Sequence, residues 1–500
     1  MIYSSALSLR KTPWLIQGGM GIAISGWPLA RAVASAGQLG VVSGTAIDSV
    51  FVRRLQDHGV DERLRAVLNR FPVHSIVDEI VNKFASTKRA LSHSYQNIVM
   101  LTHRNTRHSQ DLLVLAAFVE VALAKEGHDG TVGMNLLTKV QMPTAPTLMG
   151  AMLAGVDYIV MGAGVPTHIP GTLDRLAEGE AVDMPLDIAG GEPGASSLSI
   201  RFDPSRYLPS FKLHRPKFLG IVSSHVLASA LAKRSNGHVD GFVVERPSAG
   251  GHNAPPRGKF TVDEDGSPEY GERDRIDYSV LNDLEQPYWI GGGVTTREHV
   301  REALDCGAAG VQVGTLFAYC NESGMDPELR AKIIEEVKTG PIEVKTSLRA
   351  SSTGYPFKVA MIPGTISDPD TYESRERKCD LGYLREAYAK TDGSLGYRCA
   401  AEPVKDYVRK GGKVEDTVGV TCLCNGLMAT AGRGQVRSDG RHEPPIVTSG
   451  DCINEIRTLL DGGDSYSALD VIAHLQDTSR LECSIALSST ESEKTVLSPA

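Results

Sequence analysis

The first 305 residues of this 500-residue chain contain no cysteine. All eight cysteines lie beyond that point, at 306, 320, 379, 399, 422, 424, 452 and 483, so neither a disulfide framework nor a thiolate metal site can form within the first part. In the second part, Cys422-Leu-Cys424 with Cys379 and Cys399 upstream has the ligand chemistry for zinc or an iron–sulfur cluster. One CxC without a matching CxxC is weak spacing, however, so buried reduced thiols are expected and no residue is assigned to metal. No stretch of about 18 uncharged apolar residues is present, and the opening segment MIYSSALSLRKTPW has no apolar signal-peptide core. Net charge is −8 with no clustered basic face, which removes the source of phosphate-backbone binding to nucleic acid. No GxGxxG follows a strand-like run, which argues against a separate dinucleotide-binding domain. The expectation is a soluble cytoplasmic protein with no nucleic-acid or membrane partner.

What is present begins with 41% apolar residues, enough over this length to bury a large core. Eight short apolar runs alternate with helical stretches: Trp14 to Gly19, Leu39 to Gly44, Val132 to Leu137, Tyr158 to Gly164, Phe218 to Ser223, Gly241 to Glu245, Tyr288 to Gly292 and Val311 to Thr315. Short, nearly continuous apolar strands followed by helices imply parallel strands buried on both faces. Eight of them predict an α/β fold, a (β/α)8 TIM barrel over residues 1–345. A doubly wound sheet is the alternative, and periodicity alone does not separate the two.

Two strand ends carry the chemistry. Gly241 to His252 reads GFVVERPSAGGH, a strand ending in two side-chain-free residues and one ionisable ring. Gly250 and Gly251 allow close approach of a flat ligand to the backbone, and His252 can exchange a proton near neutral pH. About forty residues on, Pro287 to Thr315 reads as strand, three glycines, helix and strand. Thr295 and Glu298 have capping-box spacing and predict a helix from Thr295. The amides near Gly292, Gly293, Gly314 and Thr315 can converge on one dianion, as in the phosphate site after the last two strands of such a barrel.

Three segments exceed a minimal barrel. Residues 45–131 predict an inserted helical elaboration, with the HRNTRH stretch from His103 to His108 expected as a solvated helix face. Ile188 to Lys217, rich in Gly, Ser and Pro, predicts a loop lining or covering the strand ends. Residues 346–483 form an added C-terminal region of polar helices and loops, followed by a Ser/Thr/Glu-rich tail, 484–500, expected to be disordered. Cys306 is expected inside the helix after the seventh strand, as a core residue rather than a nucleophile.

Gln17-Gly18-Gly19-Met20, Val132-Gly-Met-Asn135-Leu, Ala249-Gly-Gly-His252, Gly291-Gly-Gly293 and Val311-Gln-Val-Gly314-Thr315 occur in order over residues 13 to about 320. In this the chain resembles the nitronate monooxygenases, formerly called 2-nitropropane dioxygenases. That family is similar to flavin-dependent enoyl reductases and to the trans-acting enoyl reductases of polyketide and polyunsaturated fatty acid synthesis, a group that Ser352-Thr-Gly354-Tyr-Pro-Phe-Lys358 resembles. The resemblance implies FMN at the carboxyl ends of the strands, with its phosphate on Gly292, Gly293, Gly314 and Thr315. Gly18, Met20 and Asn135 would lie along the ring and ribityl chain, and Gly250 and Gly251 at the reactive edge. His252 corresponds to the family's catalytic base. The implied reaction is oxidation of an alkyl nitronate or nitro compound by O2 to a carbonyl compound and nitrite.

One departure is Val244-Glu245-Arg246 where the family commonly has Val-Gln-Gly. Glu245 can still accept hydrogen bonds from ribityl hydroxyls, although a charge facing the ring would disfavour an anionic reduced flavin. Three function classes follow: an O2-using nitronate oxidase; an NAD(P)H-dependent enoyl reductase acting on an acyl thioester held by a carrier protein or CoA; and a flavin-binding assembly protein without catalysis. His225, at the end of the fifth strand, is the candidate substrate contact. A homodimer is a possible assembly.

Overall fold

The computed structural model describes residues 12–85, 94–190, 198–209 and 212–476. Eight parallel strands are the frame: β1 (Leu15–Gln17), β2 (Gly40–Ser43), β3 (Val132–Leu137), β4 (Tyr158–Gly162), β5 (Lys217–Val222), β6 (Gly241–Glu245), β7 (Tyr288–Gly291) and β8 (Gly310–Val313). Each pairs with its sequence neighbour from β2 to β8, and β8 returns to β1 through Leu15 opposite Val311. The seam between β1 and β2 is closed by the Gln17 amide on the Leu39 carbonyl at 3.0 Å and the Leu39 amide on the Leu15 carbonyl at 3.1 Å. The fold is thus a (β/α)8 barrel, and each predicted run supplies one strand.

Alternation along the strands sorts their side chains into two sets. Ile16, Val41, Val160, Leu219, Val243 and Trp289 form a small separate cluster that fills the barrel interior. Leu15, Val42, Ile159, Phe218, Val244 and Ile290, one position away, join the larger core shared with the helices. Both faces are therefore buried, which is why the strands read as continuous apolar runs. Trp289 is the largest interior plug, and its indole N–H reaches the Pro13 carbonyl at 2.8 Å.

The segment between β2 and β3 folds into helices Ile47–His58, Glu62–Leu68, His74–Phe84 and Arg107–Ala124. The last is apolar almost all round, and nearly every residue in it is buried. The HRNTRH stretch is not one solvated helix face. Thr106 caps the helix by accepting from the Ser109 amide, while His103 contacts the Tyr397 hydroxyl through Nδ1 at 2.7 Å. Helix Arg297–Asp305 is capped one residue later than the capping-box spacing predicts, because Thr296 rather than Thr295 accepts from the His299 amide. Cys306 caps the end of that helix and is only partly buried.

The described residues of the Ile188 to Lys217 stretch line neither cavity at the strand ends. Its described part holds strand Ser199–Phe202, paired with Val182–Pro185, while Ile188–Ala189 extends a hairpin formed by Glu386–Ala389 and Leu395–Arg398. The strand ends are covered instead by residues from beyond 345. Hairpin Val344–Ser347/Phe357–Ala360 lies against the turn after β6, and helix Ala468–Leu475 reaches back to the barrel through His474 Nε2 on the Thr295 carbonyl at 2.9 Å. Asp380, Arg437, Glu443 and Arg375 form a buried ionic network within this region, with Arg437 to Asp380 and Arg375 to Glu443 both at 2.6 Å. Cys483 and the 484–500 tail lie outside the described residues. Among the described residues no helix is long and apolar enough to cross a membrane.

Candidate active site

Two cavities open at the carboxyl ends of the strands and share Glu245 as a common wall. The inner one, about 140 Å³, is lined by Gly18, Met20, Glu245, Gly250, Gly251, Gly292, Gly293, Gly314 and Thr315. Nine of the ten residues predicted to hold the cofactor thus face one space. Asn135 does not. It stands behind Gly19, where an added Cβ would come within 2.1 Å of the Asn135 Cβ, so it backs the first turn rather than lining the cavity.

Local geometry explains the glycines. Gly292 and Gly293 have φ of +90° and +75°, values that side-chain-bearing residues rarely adopt. A Cβ on Gly250 would meet the Gly450 nitrogen and the Ser449 carbonyl carbon, both at 2.8 Å. The Met20 amide donates to Ser25 Oγ at 2.7 Å, which fixes the turn after β1.

The C-terminal region supplies a wall that sequence reasoning missed. Thr448 Oγ1 accepts from the Gly251 amide at 2.9 Å, and Thr315 Oγ1 accepts from the Gly450 amide at 3.0 Å. Ser449 and Gly450 also line the inner cavity, as do Ser248 and Gln312. A signal was present: Ile446-Val447-Thr448-Ser449-Gly450 has the apolar-run-then-small-residue form of the β8 end. It was overshadowed by the polar residues around it.

His252 lines the outer cavity, about 470 Å³ in volume, whose walls include Ile221, Val226, Leu227, Pro247 and Tyr355. Its Nε2 is 2.7 Å from Ser351 Oγ, which is itself 2.7 Å from Thr353 Oγ1. The ring packs edge-on to Phe357 with centroids 4.8 Å apart. Burial pushes its pKa down to about 4, so the imidazole is neutral at neutral pH. Asn253 beside it is also buried, with one amide hydrogen on the Ala249 carbonyl at 3.1 Å and its Oδ1 without a partner.

Glu245 changes the electrostatics expected from the sequence. Burial raises its pKa to about 7, against the opposing hydrogen bond from Gln312 Nε2 at 3.1 Å. Burial thus favours the neutral carboxyl near neutral pH more than the residue type implies, which weakens the charge facing the cavity. Arg246 does not neutralise it directly, since its Nη2 donates to the Tyr278 hydroxyl at 3.1 Å.

His225, the candidate substrate contact, is not brought to the site. Ser224 caps helix His225–Arg234, and the His225 ring turns to accept the Asp277 amide at 3.0 Å, whereas its neighbours Ser224, Val226 and Leu227 line the outer cavity.

Fold and site together define a class, that of a (β/α)8 barrel with a glycine-lined cavity and a buried histidine at the carboxyl ends of its strands. Residues 179–359 match the nitronate monooxygenase family model, a segment containing Glu245, the Gly-Gly-His252 turn and the glycines after β7 and β8. Among solved structures the chain is similar to FabK from Thermotoga maritima (14% identity, TM-score 0.44, 97% of each chain covered). It is also similar to a nitroalkane oxidase from Streptomyces ansochromogenes (12% identity, TM-score 0.44, covering 97% of this chain and 100% of that one). A third is the enoyl reductase domain of MlnA from Bacillus amyloliquefaciens (10% identity, TM-score 0.44, covering 95% and 97%). A search of curated proteins returned no match.

Proposed function

We propose that this chain is an FMN-dependent oxidoreductase in which His252 handles a proton on substrate held in the outer cavity. The residues of the inner cavity fit the cofactor. Side-chain-free backbone at Gly292, Gly293 and Gly314 with the Thr315 hydroxyl is the donor set a phosphate dianion needs, and any Cβ at Gly292 would crowd the Ala249 nitrogen at 3.0 Å. Gly18, Gly250 and Gly251 offer the bare backbone a planar ring requires. When bound, FMN would supply the electron transfer that no side chain here provides.

The chain's own residues do the rest. His252, neutral and hydrogen-bonded through Nε2 to Ser351, is poised to take a proton from a carbon made acidic by an adjacent nitro group. Ser351 and Phe357 fix the ring, and the apolar walls exclude water. Asn253 Oδ1 is a free acceptor beside it. The observation that carries the reading is a neutral buried histidine in the outer cavity, next in sequence to the glycines that line the inner one, inside the segment that matches the nitronate monooxygenases. On it rests the first reading, oxidation of an alkyl nitronate or nitro compound with O2.

One observation favours a second reading. A cavity of about 470 Å³ is larger than a small nitroalkane needs and falls within the range of about 300–1,000 Å³ typical of larger ligands. An enoyl thioester reduced at the expense of NAD(P)H would fill it. Anaerobic mixing of the flavin-loaded protein with a primary nitronate, and separately with NADPH, distinguishes the two. Bleaching of flavin absorbance by the nitronate alone supports the oxidase. Bleaching by NADPH alone, followed by recovery on adding an enoyl thioester, supports the reductase, and bleaching by neither would reject both.

A further inference from the structure

We infer that Ser351 and Thr353 form a hydroxyl relay that carries the proton taken by His252 out to solvent. This rests on the reading of His252 as the group that takes a proton from substrate. Both hydroxyls lie in the loop that joins strands Val344–Ser347 and Phe357–Ala360, and the backbone holds that hairpin against His252. The Asn253 amide donates to the Pro356 carbonyl and the Lys358 amide to the Gly251 carbonyl, both at 2.9 Å, so His252 faces Phe357 across an antiparallel bridge. Ring and hydroxyls are thereby set in one register.

The hydrogen bonds give the chain a direction. A hydroxyl has one hydrogen to donate and two lone pairs that accept. One lone pair of Ser351 Oγ takes the Thr353 amide at 3.2 Å, and one of Thr353 Oγ1 takes the Tyr355 amide at 3.3 Å. Each oxygen is left with one hydrogen and one lone pair. Ser351 has two further partners at 2.7 Å, His252 Nε2 and Thr353 Oγ1, so it accepts from one and donates to the other. Two arrangements satisfy the chain, one with every hydrogen pointing outward from Nε2 and one with every hydrogen pointing toward it. Burial falls along the same path, with Ser351 buried, Thr353 half-buried and Gly354 exposed.

The proposed chemistry needs such an exit. Burial makes His252 a weak base, and an imidazolium kept in the cavity would return its proton to the substrate. With the relay the ring does not retain the charge. The substrate C–H bond breaks, its electron pair stays on the carbon and is shared with the nitro group, and the proton bonds to Nδ1, the nitrogen left for the cavity while Nε2 is held by Ser351. The Nε2 proton passes to Ser351 Oγ, the Ser351 proton to Thr353 Oγ1 and the Thr353 proton to water. The ring ends neutral in its other tautomer, with one proton in solvent. Water entering the emptied cavity then removes the Nδ1 proton while the relay returns one to Nε2, which resets the site. Neither Ser351 nor Thr353 lines the outer cavity, so both act through His252 as positioning residues.

Nitrogen-15 NMR of flavin-loaded, histidine-labelled protein reads the resting tautomer, with the His252 signals identified by their loss in His252→Gln. A neutral ring protonated at Nε2 and bare at Nδ1 is expected at neutral pH; protonation at Nδ1 overturns the inference. Flavin reduction is the second readout. Nitroethane must lose a carbon-bound proton before it delivers electrons, whereas its nitronate has already lost that proton. Ser351→Ala and Thr353→Val should therefore lower the ratio of the two reduction rates, nitroethane over nitronate, by about tenfold or more. Thr353→Ser keeps the hydroxyl and should restore the wild-type ratio. A ratio unchanged in Thr353→Val, including equal slowing with both compounds, would leave these hydroxyls a structural part only and overturn the relay. Flavin bleached by neither compound would reject the oxidase reading, and the relay would then stand or fall on the tautomer.

Discussion

His252 and Glu245 sit on the same strand end, and burial moves their protonation in ways that can be measured. Because burial lowers the His252 pKa from 6.5 to about 4, the proposed base is in its working form throughout the neutral range. The acid limb of kcat/KM is therefore expected near pH 4 rather than near 6.5, and His252→Ala should keep flavin while losing about 10²-fold or more in turnover. An acid limb remaining at 6.5 would contradict the burial argument. Glu245 has the opposite sign. With a folded-state pKa raised from 4.5 to about 7, its neutral form adds stability below pH 4.5, and that stability is lost as pH rises through about 7. The difference in stability between wild type and Glu245→Gln, followed by denaturant titration from pH 4 to 8, should change across that window in the direction of a wild type that weakens with rising pH.

The elements that build the site differ in how far the sequence discloses them. Each barrel strand is a short apolar run because each is buried on both faces, so all eight are legible, as are the glycines that end β6, β7 and β8. Asn135 and His225 show the limit. A strand-end position says which end of the barrel a residue occupies, but not whether its side chain is committed to a neighbouring turn, as His225 is to the Asp277 amide. The Thr448–Gly450 turn has the form of a strand end in the sequence, but its partner is not legible there. It meets Gly251 across 197 residues of chain, and no periodicity records a contact of that range. The turn makes a direct prediction. Gly250→Ala puts a methyl group 2.8 Å from the Gly450 nitrogen, so it should displace the turn and weaken FMN binding at least tenfold. Flavin fluorescence titration reads this, and unchanged affinity would mean that the turn does not contribute.

At the scale of the whole molecule, the residues beyond 345 are woven into the barrel rather than appended to it. Tyr383 donates to the buried Asp48 carboxyl, and its hydroxyl is 2.7 Å from Ser49 Oγ, which ties the C-terminal region to the first helix after β2. The ionic network around Glu443 holds the C-terminal region itself, with both carboxylate oxygens engaged by Arg375 and Arg437. Glu443→Ala leaves two buried guanidinium groups short of an anion and should cost about 3–5 kcal/mol in denaturant unfolding. A loss below about 1 kcal/mol would show that the arginines are solvated in some other way.

The hydrogen bonds that join Thr448 and Gly450 to the turns after β6 and β8 also bear on the life of the chain during its synthesis. A nascent polypeptide halted before residue 448 possesses every strand of the barrel and its proposed base, but only part of the cofactor cradle. On the proposed reading, flavin capture would then report that synthesis has passed residue 450, making the cofactor a mark of chains that hold both turns as well as an instrument of their chemistry.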